Sequence, residues 1–452
     1  MPADGSRRVT TRPLFRRLTC NINPERRKKG IVRMALSIGK NYWKTIVFTF
    51  CLGWVVIWVY RSMLSPIYTE IQGTIGQQSN TAMGLISSCY FFGYTALQIP
   101  SGWLVDRFGQ KRILIPGFLV FAAGAAFIAT ATNLMSIYVG SVLAGMGCGC
   151  YYGAAFSLTT EHVPADKKGV GTAIVNSGSA IGMILGMTGS SFIVKQLGLP
   201  WQTMVLISAV LIGLMVVWYA LMLRDNIAEK RALQSGQPAA KADDKAATAA
   251  SVETGSKPKL FSVRFIACYA LYFCTCYAYY MIVTWLPNFL ETERGITGGL
   301  IGIIVSMISV TAIPGALLFS RISDKKRDQK NKIIAFLEIS AFVLVAVSML
   351  APNAVVLSVV LLMYGLLGKL AVDPVLISYM SDQADPKSVA TTLGVFNFFG
   401  MASSVIAPAV TGGIIDVTGS GEISFYMGAA LLLLGTILFM VTNIRNKTPV
   451  TA

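Results

Sequence analysis

The sequence predicts an all-α membrane protein: twelve transmembrane helices arranged as two pseudo-symmetric six-helix bundles. Three observations carry that prediction. Twelve apolar stretches recur along the 452 residues, each close to the ~20 residues needed to cross a ~30 Å hydrocarbon core. A polar linker at about Asn226 to Lys259 divides them six and six. Only 13% of the residues are charged and 54% are hydrophobic, against roughly 25% charged in an ordinary soluble domain, so the apolar surface has to face lipid.

In chain order, spans 1 to 6 are expected at residues 45–71, 79–104, 112–131, 134–158, 169–193 and 202–223. Spans 7 to 12 are expected at 264–290, 297–319, 333–351, 354–380, 389–415 and 423–444. Several connections are short and rich in turn formers, such as Ala131 to Asn133, Gly198 to Pro200, Ala351 to Asn353 and Thr418 to Gly421, so consecutive helices run antiparallel. The chain then divides into a basic tail (1–44), a first bundle (45–224), a linker (225–260), a second bundle (261–445) and a short tail (446–452). The arginine-rich first 33 residues contain only Asp4 and Glu25 as acids. They read as a disordered tail or an upstream start, with Met34 opening a short lead into span 1.

The net charge of +17 raises nucleic-acid binding, but the placement of the charge excludes it. Of the 38 Lys and Arg, 34 lie on the side of both termini, and only Lys195 and Arg294 lie on the opposite face. That is the positive-inside asymmetry, with both termini cytoplasmic. Eight cysteines without CxxC spacing and a single histidine, His162, leave no ligand set for a metal and no nucleophile relay. No cofactor is expected, and the chain is not read as an enzyme.

After span 2 the sequence runs Gly102-Trp-Leu-Val-Asp106-Arg107-Phe-Gly109-Gln110-Lys111-Arg112. It resembles the G-x-L-x-D-R-x-G-R-K signature of the major facilitator superfamily, with Gln110 in place of a basic residue. A glycine lets helices approach, an aspartate at a helix end can pair with a neighbouring base, and the basic residues hold the turn at the headgroups. The pattern recurs after span 8 as Ser320-Arg-Ile-Ser-Asp324-Lys-Lys326, and spans 5 and 11 carry Asn176 and Asn397 in corresponding places. The resemblance covers residues 43 to 445. It implies two six-helix halves that rock about a binding site near the bilayer midplane. It assigns Gly102, Asp106, Arg107, Gly109, Lys111, Arg112 and Asp324 to gating.

Tyr60-Arg61 with Pro66, Trp285-Leu-Pro287, Ile313-Pro-Gly315 and Asp416-Val-Thr-Gly419 resemble the organic-anion branches, the anion:cation symporters and the organophosphate:phosphate antiporters. In both, Arg61 matches a substrate-contacting arginine. Two departures stand out: Tyr60 and Cys148 occupy the places where proton-coupled members carry acids, and Tyr279 stands where the antiporters carry a second arginine.

Intramembrane charges cost at least ~2.5–3.5 kcal/mol on insertion scales, so each asks for a partner or a function. Arg61 lies past the middle of span 1, and its planar fork can grip a carboxylate, sulfonate or phosphate by two bonds. Lys369 and Asp373 are four apart on span 10 and share a face. Lys369 is read as a second cationic contact and Asp373 as the proton-coupling candidate. Glu338 is read as lying near the end of span 9 and either reaching to the cytoplasm or pairing with the basic loop there. Tyr269, Tyr272 and Tyr279 form a stripe on one face of span 7 and, with Asn176 and Asn397, complete the candidate substrate site. Gly178, Gly182 and Gly186 on span 5 read as a close-packing seam.

The expected function is secondary transport of a small organic anion by alternating access, as proton-coupled symport. An exchanger or facilitator without proton coupling is the alternative within transport, and a membrane solute sensor is the alternative of another class. The expected partners are the organic anion, protons and membrane lipids. The expected state is a monomer in a bacterial inner membrane.

Overall fold

The computed structural model describes residues 24–164, 167–223, 261–384 and 389–444. The expected linker 225–260, the tail 446–452 and residues 1–23 lie outside the described residues. Within them the chain is helical and no strand occurs.

Span 1 begins earlier than expected. Its first helix is Pro24–Met63, so it takes in part of the stretch read as a disordered tail. Proline at the first helical position lacks only an N–H that would have no partner there, and no helix breaker follows before Gly30. The span then breaks into a 3-10 turn, Ser65–Ile67, with Pro66 in it, and resumes as Tyr68–Ile75. Span 2 is Asn80–Phe108 and span 3 is Gln110–Ala129, hinged at Gly109 with φ of 87°. Span 5, Lys168–Ser190, ends in a π-helical turn, Ser191–Gln196, and span 6 is Trp201–Met222. Spans 7, 8 and 9 are Val263–Thr292, Leu300–Lys325 and Lys330–Met349. Spans 11 and 12 are Val389–Thr418 and Gly421–Phe439.

The two halves echo each other most closely in spans 4 and 10. Asn133 accepts from Ser136 N at 2.9 Å to start span 4, and Asn353 accepts from Val356 N at 3.0 Å to start span 10, the side-chain cap that a helix N-terminus favours. Both spans are then interrupted. Span 4 divides into Leu134–Gly149 and Tyr151–His162, and span 10 divides at Gly368 into Ala354–Leu367 and Lys369–Gln383. Eleven membrane-length apolar stretches are found among the described residues by length and composition. Span 2, with 29 helical residues, is the twelfth helix of the layout.

Glycine seams set the packing. A Cβ on Gly178, Gly182 or Gly186 would collide with the backbone or side chains of Cys51, Val55, Trp58 or Ser62, so span 5 lies hard against span 1, as the small-residue spacing predicts. The bundles meet through two further seams. Gly84 and Gly412 bring span 2 against span 11, at Pro408 and Asn80, and Gly302 brings span 8 against Met187 of span 5. All three lie toward the end opposite the span 2–3 loop. That end is called here the far end, and the loop's side the basic end.

Candidate functional site

Arg61 sits two residues before the first helix of span 1 ends. Its Nε donates to Tyr90 Oη at 3.0 Å. The guanidinium is surrounded by aromatic faces, with the Tyr94 centroid at 4.4 Å, Trp58 at 5.3 Å, Tyr90 and Phe91 at 5.4 Å and Trp54 at 5.5 Å. Such rings stabilise a cation by about 0.5–2 kcal/mol each at best, without neutralising it. No carboxylate among the described residues is within ion-pair distance, and Nη2 is buried without a hydrogen-bond partner. Cys148 packs against Arg61 and Tyr90. A small pocket lined by Tyr60, Ile86, Ser87 and Ser141 opens beside the guanidinium.

Lys369 opens the second half of span 10, just after the break at Gly368. Its Nζ lies 2.6 Å from Asp373 Oδ2, while Asp373 Oδ1 is buried and unpartnered. The ammonium lies 5.3 Å from the Tyr279 ring centroid and 5.8 Å from that of Tyr272. Tyr272 in turn stacks on Phe396 at 4.0 Å.

Aromatic rings join the two cations across the bundle interface. Phe91, beside Arg61, meets Tyr280 of span 7 edge-on at 4.8 Å, and Tyr280 meets Tyr279 at 5.5 Å. Tyr279 Oη reaches Met183 Sδ of span 5 at 3.5 Å. Tyr280 lies in the field of both Lys369 and Arg61. Opposite, Tyr152 of span 4 is 42% exposed and lies within the field of Lys369 and Asp373. Arg61, Lys369, Asp373, Tyr272 and Tyr279 thus form one linked cluster. Tyr269 is buried to one side between Phe265 and Phe399. Asn176 is exposed and Asn397 half-buried, outside the contacts that join the two cations. Phe91 and Tyr280, which link the two cations across the interface, had no signal in the sequence beyond being aromatic.

Glu338 departs from its expectation. Span 9 starts at Lys330, which puts Glu338 near mid-helix. It is fully buried against span 7, where its Oε1 lies 2.6 Å from Thr275 Oγ1. It does not reach toward solvent.

Polar contacts join the two bundles at the far end. Asp416, on the last turn of span 11, takes four bonds at the N-terminus of span 2: Asn80 N at 2.7 Å and Nδ2 at 3.0 Å, Thr81 N at 2.8 Å and Oγ1 at 2.6 Å. An anion is well placed there, because the first amides of a helix lack internal partners. Nearby, Lys195 of span 5 bridges Glu70 of span 1 at 2.8 Å and Glu291 of span 7 at 2.5 Å.

At the basic end, Gly102 and Asp106 lie on span 2, with side chains outside the described set. Gly109 makes the turn. Arg107 is exposed over Trp103 and Phe108. Lys111 donates to Ala220 O at 2.7 Å and Leu223 O at 2.8 Å, capping span 6. Arg112 and Asp324 are exposed. In the second bundle Lys330 ties span 9 to Asp382 and Ser378 of span 10.

Comparison with known proteins agrees with this architecture. The model of the family Major Facilitator Superfamily matches residues 46–408. The chain is 24% identical to a probable galactarate/D-glucarate transporter of Bacillus subtilis, covering 89% of this chain and 92% of that one. It is 27% identical to the hexuronate transporter of the same organism, covering 87% and 92%. It is 24% identical to a probable sulfoacetate transporter of Cupriavidus necator, covering 87% and 92%. Its fold matches a bacterial homologue of the human lysosomal transporter Spinster, solved in an inward-facing and occupied conformation, with a TM-score of 0.73 at 13% identity, covering 91% of this chain and 99% of that one. The chain belongs to the Major Facilitator Superfamily of membrane transporters and matches its organic-anion branch.

Proposed function

We propose that this carrier moves a small organic anion bearing a carboxylate, sulfonate or phosphate ester, with Arg61 as its anchor and Lys369 as a second contact. One observation carries the reading: a guanidinium set among five rings, with one amino group buried and unpartnered and no described carboxylate to neutralise it. A bare charge at that depth is costly, and a bidentate anion offsets the cost while filling the vacant donor. Arg61 and Lys369 against Asp373 leave one net positive charge in the cluster, matched by a monoanion. The names of the relatives, which include sugar-acid and sulfoacetate transporters, support the same cargo chemistry.

The far-end contacts and the exposure of Tyr152 support an inward-facing state in which cargo exchanges through the basic end, on the cytoplasmic side of a bacterial inner membrane. Anion binding to Lys369 would release Asp373, whose carboxylate then gains by taking a proton. Cargo and proton binding become mutually favourable, which is symport. Exchange without protons is the outcome if that linkage is absent.

The test is Arg61→Lys in reconstituted vesicles, with a thermal-shift panel of sugar acids, sulfonates and phosphate esters on the purified protein. A point charge cannot reproduce the fork. Losing one charge-assisted bond of about 1.5–3 kcal/mol weakens the stabilising ligand by roughly 10- to 150-fold. Native affinity in the lysine variant would rule out Arg61 as the anchor.

A further inference from the structure

We propose that Glu338 is a proton-binding site of the carrier, holding its proton in the conformation seen here. The proposal deepens the symport reading, but the proton itself is argued from the local geometry alone.

Glu338 is 0% exposed. Its only hydrogen-bond contact among the described residues is Thr275 Oγ1, at 2.6 Å from Oε1, and its Oε2 is buried without a partner. The Thr275 hydroxyl also lies 2.9 Å from Leu271 O, one turn back on its own helix. A backbone carbonyl can only accept, and a hydroxyl carries a single proton. If Thr275 donates to Leu271, as helical threonines commonly do, the short contact to Glu338 needs a proton from the carboxyl. A protonated Glu338 donates to Thr275, Thr275 donates to Leu271 O, and both contacts are satisfied. An ionised Glu338 would share one proton with a carbonyl and leave a charge in a dry interior.

Among the described residues, no unpaired cation faces Glu338. Span 7 presents Cys274, Thr275 and Cys276. Span 10 presents Tyr364 and the Lys369–Asp373 pair, in which the lysine is already held at 2.6 Å. The titratable residues of span 12, Glu422 and Tyr426, lie near its far-end start, and the turn Met440–Ile444 has none. Arg327 and Asp328 precede span 9 and are exposed. Burial of a carboxylate without a cation or several donors favours the neutral acid. Two carboxyls therefore divide the work. Asp373 faces Lys369 at 2.6 Å, and Glu338, one helix away, keeps the proton.

The experiment is infrared spectroscopy of the purified carrier in lipid, without cargo, over a neutral-to-alkaline titration. The expected result is a band from an un-ionised buried carboxyl at neutral pH, present in the unmodified protein and in Asp373→Asn, and lost in Glu338→Gln. Glutamine keeps the shape and can donate to Thr275. Should that variant not fold, Thr275→Val is read instead, and removal of the hydroxyl partner is expected to shift the same band. A spectrum without the band, or a band unchanged in Glu338→Gln or in Thr275→Val, overturns the proposal. Because no transport is measured, failure of the symport reading leaves this result standing. A missing band leaves anion binding at Arg61 untouched.

Discussion

Replacing Asp416 by alanine should unlatch the far end. The carboxylate takes two backbone amides, one side-chain amide and one hydroxyl from Asn80 and Thr81, at 2.6 to 3.0 Å. All four must break when span 11 moves away from span 2. The site is exposed, so water replaces much of each bond. Taking the low end of about 0.5 kcal/mol per bond, the clamp contributes about 2 kcal/mol, which corresponds to a roughly 30-fold shift in the ratio of closed to open far ends. Spin labels at Gln77 and Val417, on the two sides of this junction, read that ratio directly in a cysteine-free background. Asp416→Ala should enlarge the long-distance population by about that factor, and Asp416→Asn, which keeps an acceptor but loses the charge, should fall between. Superimposable distance distributions for the unmodified and alanine proteins would show that the clamp does not govern the far-end equilibrium.

Two further substitutions bear on coupling and packing. Asp373→Asn should abolish accumulation driven by an inward proton gradient while retaining counterflow of labelled anion; normal accumulation would remove Asp373 from the coupling path. Gly182→Ala should lower the melting temperature of the purified carrier, because its methyl would meet Val55 O and Trp58 of span 1, an overpacking that costs about 1–3 kcal/mol. An unchanged melting curve would mean that spans 1 and 5 can separate freely.

By itself the sequence determined what depends on neighbours along the chain. Hydropathy over some twenty residues reports whether a segment can face lipid, so the spans were legible. So was the pairing of Lys369 with Asp373, since residues four apart share a helix face whatever surrounds them. The glycine seam of span 5 was readable for the same reason. What surrounds Arg61 was not, because its cage joins spans 1 and 2, and the ring path onward to Lys369 crosses between bundles through Phe91 and Tyr280. Asp416 looked like a residue of a loop motif, and its role as the anion at the start of span 2 rests on contacts more than 330 residues apart. Glu338 shows the limit most plainly. Its distance along span 9 suggested an escape to water, whereas the packing of span 7 over it decides that it has none. Burial is a property of what lies across the interface, and only the tertiary structure supplies that.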